Sequence, residues 1–378
     1  MSAEYGEVFQ RFGIEPQESI YAYSPVFRGE VGGRQVAVKR THSGAAMVRW
    51  LHSLAARGVP VVTPVAGPVR IGAWDWVAYP WIDGRLYNGT PADAAAAGAL
   101  LGRIHTIPPH GAGVEEEARE GDGAGVEEGA GEGDGAGVEE GAGEGDGAGV
   151  EEGAGEGDGA GVGKAAGERD GDPGGGGLPA FSWPDHDQAS IDEDVTGLSA
   201  VLRAHRPDLH AEVMGRLEPL LRSFMTTTLP AIRDADLPVV DACLDFKAVN
   251  LVYPQYTPTA PKGPVLVDPD NGERVPRLLD LALAVLLFHN DLPGEPAGLF
   301  DAEQWQAFRE AYLAEVELTE EERRLWPTAL QYMLLEWGVW TVINGDEAGD
   351  WVHPRHAEFL TALVTVDVTG FPLNGEMA

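Results

Sequence analysis

The sequence predicts an α+β protein with two lobes, in which a small antiparallel sheet is followed by a larger, mainly helical part. Two observations support this class. Short strands bounded by turn residues come before residue 80, and helical patterns with many tryptophans come after residue 179. The 378 residues are also enough for two such lobes. We therefore predict an N-terminal lobe over residues 1–82 and a helical C-terminal lobe over residues 83–378.

The predicted N-terminal strands are short apolar or alternating runs bounded by turn-forming residues. They lie at residues 20–23, 26–31, 35–40, 61–65, 68–72 and 74–79. The pair Gly32-Gly33 predicts a tight hairpin turn between the second and the third strand. Helical spacing of apolar residues predicts one helix at 44–57, which ends at Gly58, and another at 91–106.

Between about residues 110 and 178 the composition is reduced mostly to Gly, Ala, Glu and Asp. The unit GDGAGVEEGAGE repeats there with a period of 12, from Gly121, Gly133 and Gly145. Residues 111–172 hold 20 acidic and three basic side chains, which is −17 of the chain's formal charge of −35. A unit with a single valine buries almost nothing, so we expect a disordered, self-repelling insertion in the C-terminal lobe.

The composition also argues against several classes of protein. No basic patch stands out, so nucleic acid is not an expected partner. Cys243 is the only cysteine, which excludes an intrachain disulfide and a Cys-rich zinc site. Residues 1–13 lack the features of a signal peptide, and the longest apolar run, 281–288, is too short to span a bilayer. We expect a cytoplasmic protein with no membrane partner.

The first candidate functional residue is Lys39, at the end of the predicted strand that contains VAVK. Strand alternation points its side chain away from that of Val38. Transfer of a phosphoryl group requires a cation on the phosphates, ligands for Mg²⁺ and a carboxylate that orients the attacking hydroxyl. Lys39 is a candidate for that cation, and an ordinary solvated lysine is the alternative.

A second cluster is CLDFKAVN, residues 243–250, between two apolar stretches. Asp245 and Asn250 are five residues apart, and Lys247 lies between them. A carboxylate that accepts a hydroxyl proton and an amide oxygen that binds Mg²⁺ are both compatible with such a loop. A plain polar turn is the alternative.

A third cluster is VLVDPD, residues 265–270, where an apolar strand ends in Asp268. A carboxylate in this place is suited to binding a metal ion, although Asp before Pro is often only a turn residue. The stretch between the second and third clusters is rich in Pro and Tyr, which predicts a hairpin that brings the two clusters together.

The three clusters, in this order, resemble those of the aminoglycoside phosphotransferase and choline kinase superfamily, small-molecule kinases with a protein-kinase-like fold. VAVK is similar to the strand lysine motif, CLDFKAVN to the catalytic loop, and VDPD with the following PRLLDLA to the metal-binding motif. VAYPWIDGRL is similar to the hinge between the lobes. The resemblance covers residues 20–107 and 236–290 well and leaves the insertion out.

The resemblance implies ATP and Mg²⁺ as cofactors and a small molecule with a hydroxyl group as substrate. It implies that Lys39 holds the α- and β-phosphates, and that backbone groups near Pro80 and Ile82 meet the adenine. Asn250 and Asp268 would then bind Mg²⁺.

Asp270 is a further, weaker candidate for the metal site. By the same resemblance Asp245 would be the catalytic carboxylate, and Lys247 would lie near the γ-phosphate. Asp280, in the helix after the metal motif, is expected to anchor the catalytic loop.

The sequence departs from the family pattern at three points. The turn after the first strand, YSPV at residues 23–26, lacks the glycines that would close over the phosphates. Cys243 and Leu244 stand where the catalytic loop usually has His and Gly. No acidic residue lies between Lys39 and Asp75, so the helix glutamate that normally pairs with the lysine is missing. Either another carboxylate holds Lys39, or the ATP site is unusual.

Glu336 is the only charged residue in the run YMLLEWGVWTVI, residues 332–343. A carboxylate in such surroundings must be paired or face a cavity. Because the resembling family places its acceptor site among C-terminal helices, Glu336 is a candidate for substrate contact, with a structural ion pair as the alternative.

The sequence therefore predicts an ATP- and Mg²⁺-dependent small-molecule kinase whose substrate is an antibiotic or a metabolite. A protein kinase is a second hypothesis, but the chain has no recognisable activation segment. A pseudokinase that senses a nucleotide is a third, suggested by the missing glutamate and by Cys243.

Overall fold

An antiparallel sheet of four strands forms the N-terminal part of the computed structural model, which describes residues 3–20, 25–41, 44–109, 177–255 and 263–374. The strands lie side by side in the order β1-β2-β4-β3. They are β1 (Val26–Val31), β2 (Arg34–Thr41), β3 (Ala66–Ile71) and β4 (Trp74–Pro80). Two helices accompany them, α1 (Ala3–Phe12) and α2 (Gly44–Ala56).

The two faces of this sheet have different partners. Val36 and Val38 of β2 are buried in a cluster that includes Phe9 of α1, so this helix covers one face of the sheet. Lys39 and Tyr79 lie on the other face, because β2 pairs with β4 in a register that sets Ala37 opposite Tyr79 and side chains alternate along a strand. The sheet therefore presents its lysine to the C-terminal part of the chain.

The C-terminal part is mainly helical. Its helices are α3 (Pro91–His105), α4 (Gln188–His205), α5 (His210–Ser223), α6 (Thr228–Arg233), α7 (Arg277–Leu287), α8 (Ala302–Glu315), α9 (Glu320–Met333), α10 (Val339–Ala348) and α11 (Pro354–Thr365). A π-helical turn, Leu334–Gly338, joins α9 to α10. Single 3₁₀ turns lie at Phe224–Thr226, Ala248–Asn250, Asp350–Val352 and Val368–Gly370.

Short strands in this part hold the loops in place. They are β5 (Gly84–Arg85), β6 (Val239–Ala242), β7 (Leu251–Pro254), β8 (Val265–Leu266) and β9 (Glu273–Pro276). They form two small antiparallel sheets, β5-β7-β8 and β6-β9. Within the described ranges, no helix is both long and apolar enough to cross a bilayer.

Helices α3 and α8 pack with their backbones unusually close. A Cβ atom on Gly98 would stand 2.1 Å from the carbonyl oxygen of Phe308, and one on Gly102 would stand 3.1 Å from that of Tyr312. Only glycine fits where a backbone approaches so closely. This contact brings the end of α3, with His105, beside Tyr312.

The predicted α+β class is confirmed, as are the hairpin across Gly32-Gly33 and the helices predicted at 44–57 and 91–106, which are α2 and α3. The strand predicted at 61–65 is wrong, because Val61 makes only an isolated bridge to Leu266 and the segment then turns toward β3. Of the strand predicted at 20–23, only Ile20 is described, and it lies in a bend.

Helix α1 was not predicted, although Tyr5, Val8, Phe9 and Phe12 have the i, i+3, i+4, i+7 spacing of an amphipathic helix and pack in one cluster. The predicted insertion, about 110–178, falls almost entirely outside the described residues. Its end is corrected: Leu178 is buried in the main core and therefore belongs to the folded part.

Candidate active site

Three charged side chains meet where β2 faces the loop between β8 and β9. The ammonium group of Lys39 lies 2.8 Å from Oδ2 of Asp270 and makes a second short contact with Oδ1 of Asp268. Lys39 and Asp270 are close enough for an ion pair, but within the described residues the geometry at Oδ2 is not that of a hydrogen bond. The hydroxyl of Tyr79 donates to Oδ1 of Asp270 over 2.8 Å. The lysine therefore joins the sheet to the metal-motif loop.

Electrostatics keep Lys39 charged in this place. Burial by itself lowers the pKa of Lys39, but attraction by Asp268 and Asp270 outweighs it and raises the pKa above its ordinary value. Burial raises and Lys39 lowers the pKa of each carboxyl group. The net pKa of Asp268 is lowered, whereas that of Asp270 is raised because repulsion from Asp268 adds to burial.

Helix α2 contributes no carboxylate to this cluster, since it contains no acidic residue. It approaches the loop through an apolar contact: a Cβ on Gly272 would stand 2.6 Å from the sulfur of Met47. The carboxylates that pair with Lys39 come instead from Asp268 and Asp270. Of the two possibilities left by the sequence, the first is therefore correct: another part of the chain supplies the partner.

The segment 243–250 forms a loop between β6 and β7 that closes on itself. Nδ2 of Asn250 donates to Oδ2 and to the backbone oxygen of Asp245, both over 2.9 Å. The predicted hairpin is confirmed, since β7 pairs with β8 and the N–H of Val267 donates to the carbonyl of Asn250 over 2.9 Å. Asp268 follows Val267 directly, so the second and third clusters do lie together.

Lys247 is buried between two carboxylates. Its ammonium group lies 3.2 Å from Oδ1 of Asp245 and 2.9 Å from Oδ2 of Asp291. Asp291 follows α7 and has a left-handed backbone with φ of 61°, a conformation that Asp tolerates better than most residues. Nothing in the sequence pattern singled out Asp291, because an acidic residue after a helix is usually a solvated turn.

Both carboxylate oxygens of Asp245 have partners, Asn250 and Lys247. Its surroundings nevertheless disfavour the ionised form. Burial raises its pKa to about 6, despite attraction by Lys247, and repulsion from Asp268 and Asp291 adds to the rise. A carboxylate with a pKa near neutrality is suited to accepting a proton from a hydroxyl group.

A buried network of hydrogen bonds holds the loop 243–250 in place. The N–H of Leu244 donates to Oδ1 of Asp280 over 3.1 Å, and Nε2 of His105 lies 2.8 Å from Oδ2 of the same carboxylate. Nδ1 of His105 lies 2.8 Å from the hydroxyl of Tyr312 on α8. The prediction that Asp280 anchors the loop is therefore confirmed. Cys243, in place of the usual His, is buried, and burial raises its thiol pKa.

The predicted hinge connects β4 to β5. Pro80 ends β4, and the N–H of Trp81 donates to the carbonyl of Gln35 on β2 over 2.9 Å. Ile82 lies outside the strands, and no residue of the described part accepts a hydrogen bond from its backbone N–H.

Glu336 lies in the π-helical turn, beside His186. Its Oε2 lies 2.8 Å from Nε2 of His186, and only 10% of its side chain is exposed. Tyr332 and Trp337 flank it, each with a buried polar atom that has no hydrogen-bond partner within the described ranges. Of the two alternatives that the sequence left open, the structure shows the pair, with His186, which the sequence had not singled out, and substrate contact stays a prediction.

A model of the phosphotransferase enzyme family matches residues 22–318. The chain therefore belongs to the phosphotransferase enzyme family. The predicted family resemblance and the prediction of a small-molecule kinase are confirmed by this match. No curated protein matches the chain.

Two solved structures of similar fold are distant in sequence. The amicoumacin kinase in complex with AMP-PNP, Ca²⁺ and Ami is 14% identical, with 97% of this chain and 96% of that chain covered and a TM-score of 0.52. Spectinomycin phosphotransferase in its AMP-bound complex is 12% identical, with 98% of each chain covered and a TM-score of 0.50. At such identities the likeness concerns the fold, and it confirms the predicted two-lobed, protein-kinase-like architecture.

Proposed function

We propose that this phosphotransferase moves the γ-phosphoryl group of ATP, bound with Mg²⁺, onto a hydroxyl group of a small molecule. The observation that supports it most is a continuous chain of contacts. Lys39 contacts Asp268, whose neighbour Val267 bonds to Asn250, which in turn bonds to Asp245. A phosphate-binding cation, oxygen ligands for a metal and a carboxylate for the hydroxyl are thus brought together, as phosphoryl transfer requires.

The donor set of Asp268 and Asn250 suits Mg²⁺. A third of the Asp268 side chain is exposed (34%), and the amide nitrogen of Asn250 is bonded to Asp245, which leaves Oδ1 for a cation. Mg²⁺ prefers oxygen ligands and usually binds through one or two carboxylates, substrate phosphates and waters. The ion would neutralise charge on the phosphates.

Asp245 is proposed to orient the acceptor hydroxyl and to take its proton. In a loose transition state the carboxylate mainly positions the hydroxyl, and the proton moves late. Asn250 and Lys247 each hold one of its oxygens, so the carboxylate keeps one orientation as the acceptor approaches. Lys247 would supply positive charge beside the transferred phosphoryl group while it remains held by Asp291.

The nucleotide is proposed to lie between the lobes 1–82 and 83–378. The backbone N–H of Ile82 and the carbonyl of Pro80 would then meet the adenine. The N–H of Ile82, which donates to no residue in the described ranges, supports this placement. Lys39, on the sheet face that points toward the metal-motif loop, would bind the α- and β-phosphates.

Glu336 is proposed to contact the acceptor, an antibiotic or a metabolite that carries a cationic group besides its hydroxyl. Its carboxylate is nine-tenths buried, paired with His186 and flanked by Tyr332 and Trp337, whose polar atoms have no hydrogen-bond partner among the described residues. A π-helical turn is also frequent at functional sites. Glu336→Gln should raise the KM for such an acceptor and leave the KM for ATP unchanged. Equal changes in both constants would contradict this assignment.

The test of the proposed function is nucleotide binding by calorimetry, combined with ATP consumption against a panel of aminoglycosides, cyclic peptides, nucleosides and amino alcohols. Asp245→Asn should bind ATP normally but reduce kcat by about 10²- to 10⁴-fold, the usual contribution of a positioned base. Asp236→Asn, at an exposed aspartate before β6, is the matched control.

Normal turnover in Asp245→Asn would show that the carboxylate has another role. ATP binding by the wild-type chain without transfer to any member of the panel, or to a generic protein substrate, would favour a nucleotide sensor. Transfer only to the protein substrate would favour a protein kinase.

A further inference from the structure

We infer that Asp270 is the permanent partner of Lys39 and replaces the carboxylate that helix α2 lacks, whereas Asp268 is the exchangeable partner that moves to the metal. This inference rests on the proposed function, in which Lys39 binds the phosphates of ATP. The sequence pattern alone placed Asp270 among the candidate metal ligands, and the structure gives it a different role.

Asp270 is held on both sides and is closed to solvent. Tyr79 donates to its Oδ1 and Lys39 lies against its Oδ2, each at 2.8 Å. Only 7% of the Asp270 side chain is exposed. A carboxylate whose two oxygens already face a hydroxyl and an ammonium group has no open side for a metal ion and its waters. Tyr79 comes from β4 and lies on the same sheet face as Lys39, so the sheet holds Lys39 directly and holds Asp270 through the Tyr79 hydrogen bond.

Asp268, in contrast to Asp270, is partly open to solvent and has fewer partners. A third of its side chain is exposed (34%), and within the described ranges its only hydrogen-bond donor among side chains is Lys39. Its backbone lies next to Asn250 through the bond from Val267. If a metal ion draws Asp268 away, Lys39 keeps its charge partner, since Asp270 stays in place. The lysine is then positioned for the phosphates and never left with an uncompensated buried charge.

This arrangement separates the lysine from helix α2. In protein kinases the lysine is held by a glutamate of the neighbouring helix, and movement of that helix controls activity. Here α2 touches the metal-motif loop through Met47 and carries no acidic residue. The position of Lys39 is therefore set by β4 and by the same loop that carries Asp268.

The experiment measures ATP affinity by calorimetry, without acceptor, in EDTA and in Mg²⁺. Asp270→Asn should weaken binding of metal-free ATP by about tenfold, the equivalent of one charge-assisted contact, because Lys39 is then drawn to Asp268 and away from the phosphates. The factor by which Mg²⁺ strengthens binding should remain that of the wild type. Asp268→Asn should show the reverse, losing the Mg²⁺ effect and keeping metal-free affinity.

Further variants test whether Asp270 acts through Lys39. Tyr79→Phe should weaken metal-free binding in the same direction but less, and it keeps every charge if Asp270→Asn fails to fold. Tyr87→Phe is its control, because the Tyr87 hydroxyl is buried without a hydrogen-bond partner in the described part. Lys39→Met/Asp270→Asn should bind no more weakly than Lys39→Met alone, since coupled residues are not additive.

Two results would overturn the inference. One is loss of the Mg²⁺ effect in Asp270→Asn with metal-free affinity intact, which would make Asp270 a metal ligand. The other is full additivity with Lys39→Met. A failure of the proposed function would give other results: the wild-type chain would bind no ATP, or Lys39→Met would bind ATP normally. Either result would contradict the proposed function and, with it, this inference.

Discussion

The backbone N–H of Leu244 donates to Oδ1 of Asp280 over 3.1 Å, so helix α7 fixes the residue that precedes Asp245. Leu244 has φ of 49°, in the left-handed region that glycine usually occupies. Its side chain is nevertheless buried in the main core. A strained backbone and a buried leucine therefore coexist in the catalytic loop, with the hydrogen bond to Asp280 holding the strained residue in place.

We expect Leu244→Gly to be less destabilising than Leu244→Ala. Both lose a buried side chain, at a cost of about 2–5 kcal/mol. Only glycine also removes the left-handed strain, which is about 1–2 kcal/mol for an L-residue. At Leu54, buried in helix α2, the order should be reversed, because glycine is about 1 kcal/mol worse than alanine inside a helix. Urea unfolding of the four variants tests both orders, and the same order at both positions would contradict the strain argument.

We expect Asp291→Asn to reduce kcat by about tenfold, the size of one charged hydrogen bond. Without the second carboxylate, Lys247 would draw closer to Asp245 and compete with the acceptor hydroxyl. Asn and Gly both tolerate the backbone φ of 61° at this position, so Asp291→Asn and Asp291→Gly remove the charge without new strain.

The matched measurement for Asp291 is a double-mutant cycle on kcat. In a Lys247→Met background, Asp291→Asn should have no further effect if it acts through the lysine. Additive losses, or a loss that follows only the melting temperature, would assign Asp291 a purely structural role.

We expect Asp268→Asn to abolish turnover while the protein stays folded, because it removes one charge from the proposed Mg²⁺ site. Asn250→Ala should cost less, since a neutral amide contributes less to the metal, although it also frees one oxygen of Asp245. Steady-state rates over a Mg²⁺ titration, with circular dichroism as the folding control, test this order. Near-normal turnover of Asp268→Asn at saturating Mg²⁺ would contradict the site.

We expect His289 to make the protein less stable as the pH falls below about 6.5, the ordinary pKa of histidine. Burial lowers the pKa of His289 to about 4, although its Nδ1 contacts the carbonyl of Gly298 at 2.6 Å. Between these values the unfolded chain binds a proton that the folded chain does not, so stability is complete above pH 6.5 and is lost toward pH 4.

The measurement for His289 is the free energy of unfolding by urea at pH 7 and at pH 5. His289→Phe should reduce the difference between the two by about 2 kcal/mol, or 1.4 kcal/mol per pH unit below 6.5. The comparison uses slopes, so the loss of the Gly298 contact in the variant does not affect it. An unchanged difference, or a His289 NMR signal that titrates near 6.5, would contradict the prediction.

The sequence by itself determined the α+β class, the order of the three clusters, and Lys39, Asp245, Asn250 and Asp268 as the residues of interest. These features are local. A strand that ends in a charged residue, or a loop with Asp and Asn five positions apart, can be recognised from a short stretch of neighbouring residues. The fold then brought Asn250 to Asp245 within that loop and Asp268 beside it through one hairpin.

Only the tertiary structure decided what holds these residues. Tyr79 meets Asp270 across 191 positions of the chain, His186 meets Glu336 across 150, and Lys247 meets Asp291 across 44. No local pattern encodes such pairs, because each depends on how distant elements pack. A buried charge must nevertheless find a partner, since leaving it unpaired is costly. The sequence could therefore show that Lys39 lacked its helix glutamate, while only packing could supply Asp270 in its place.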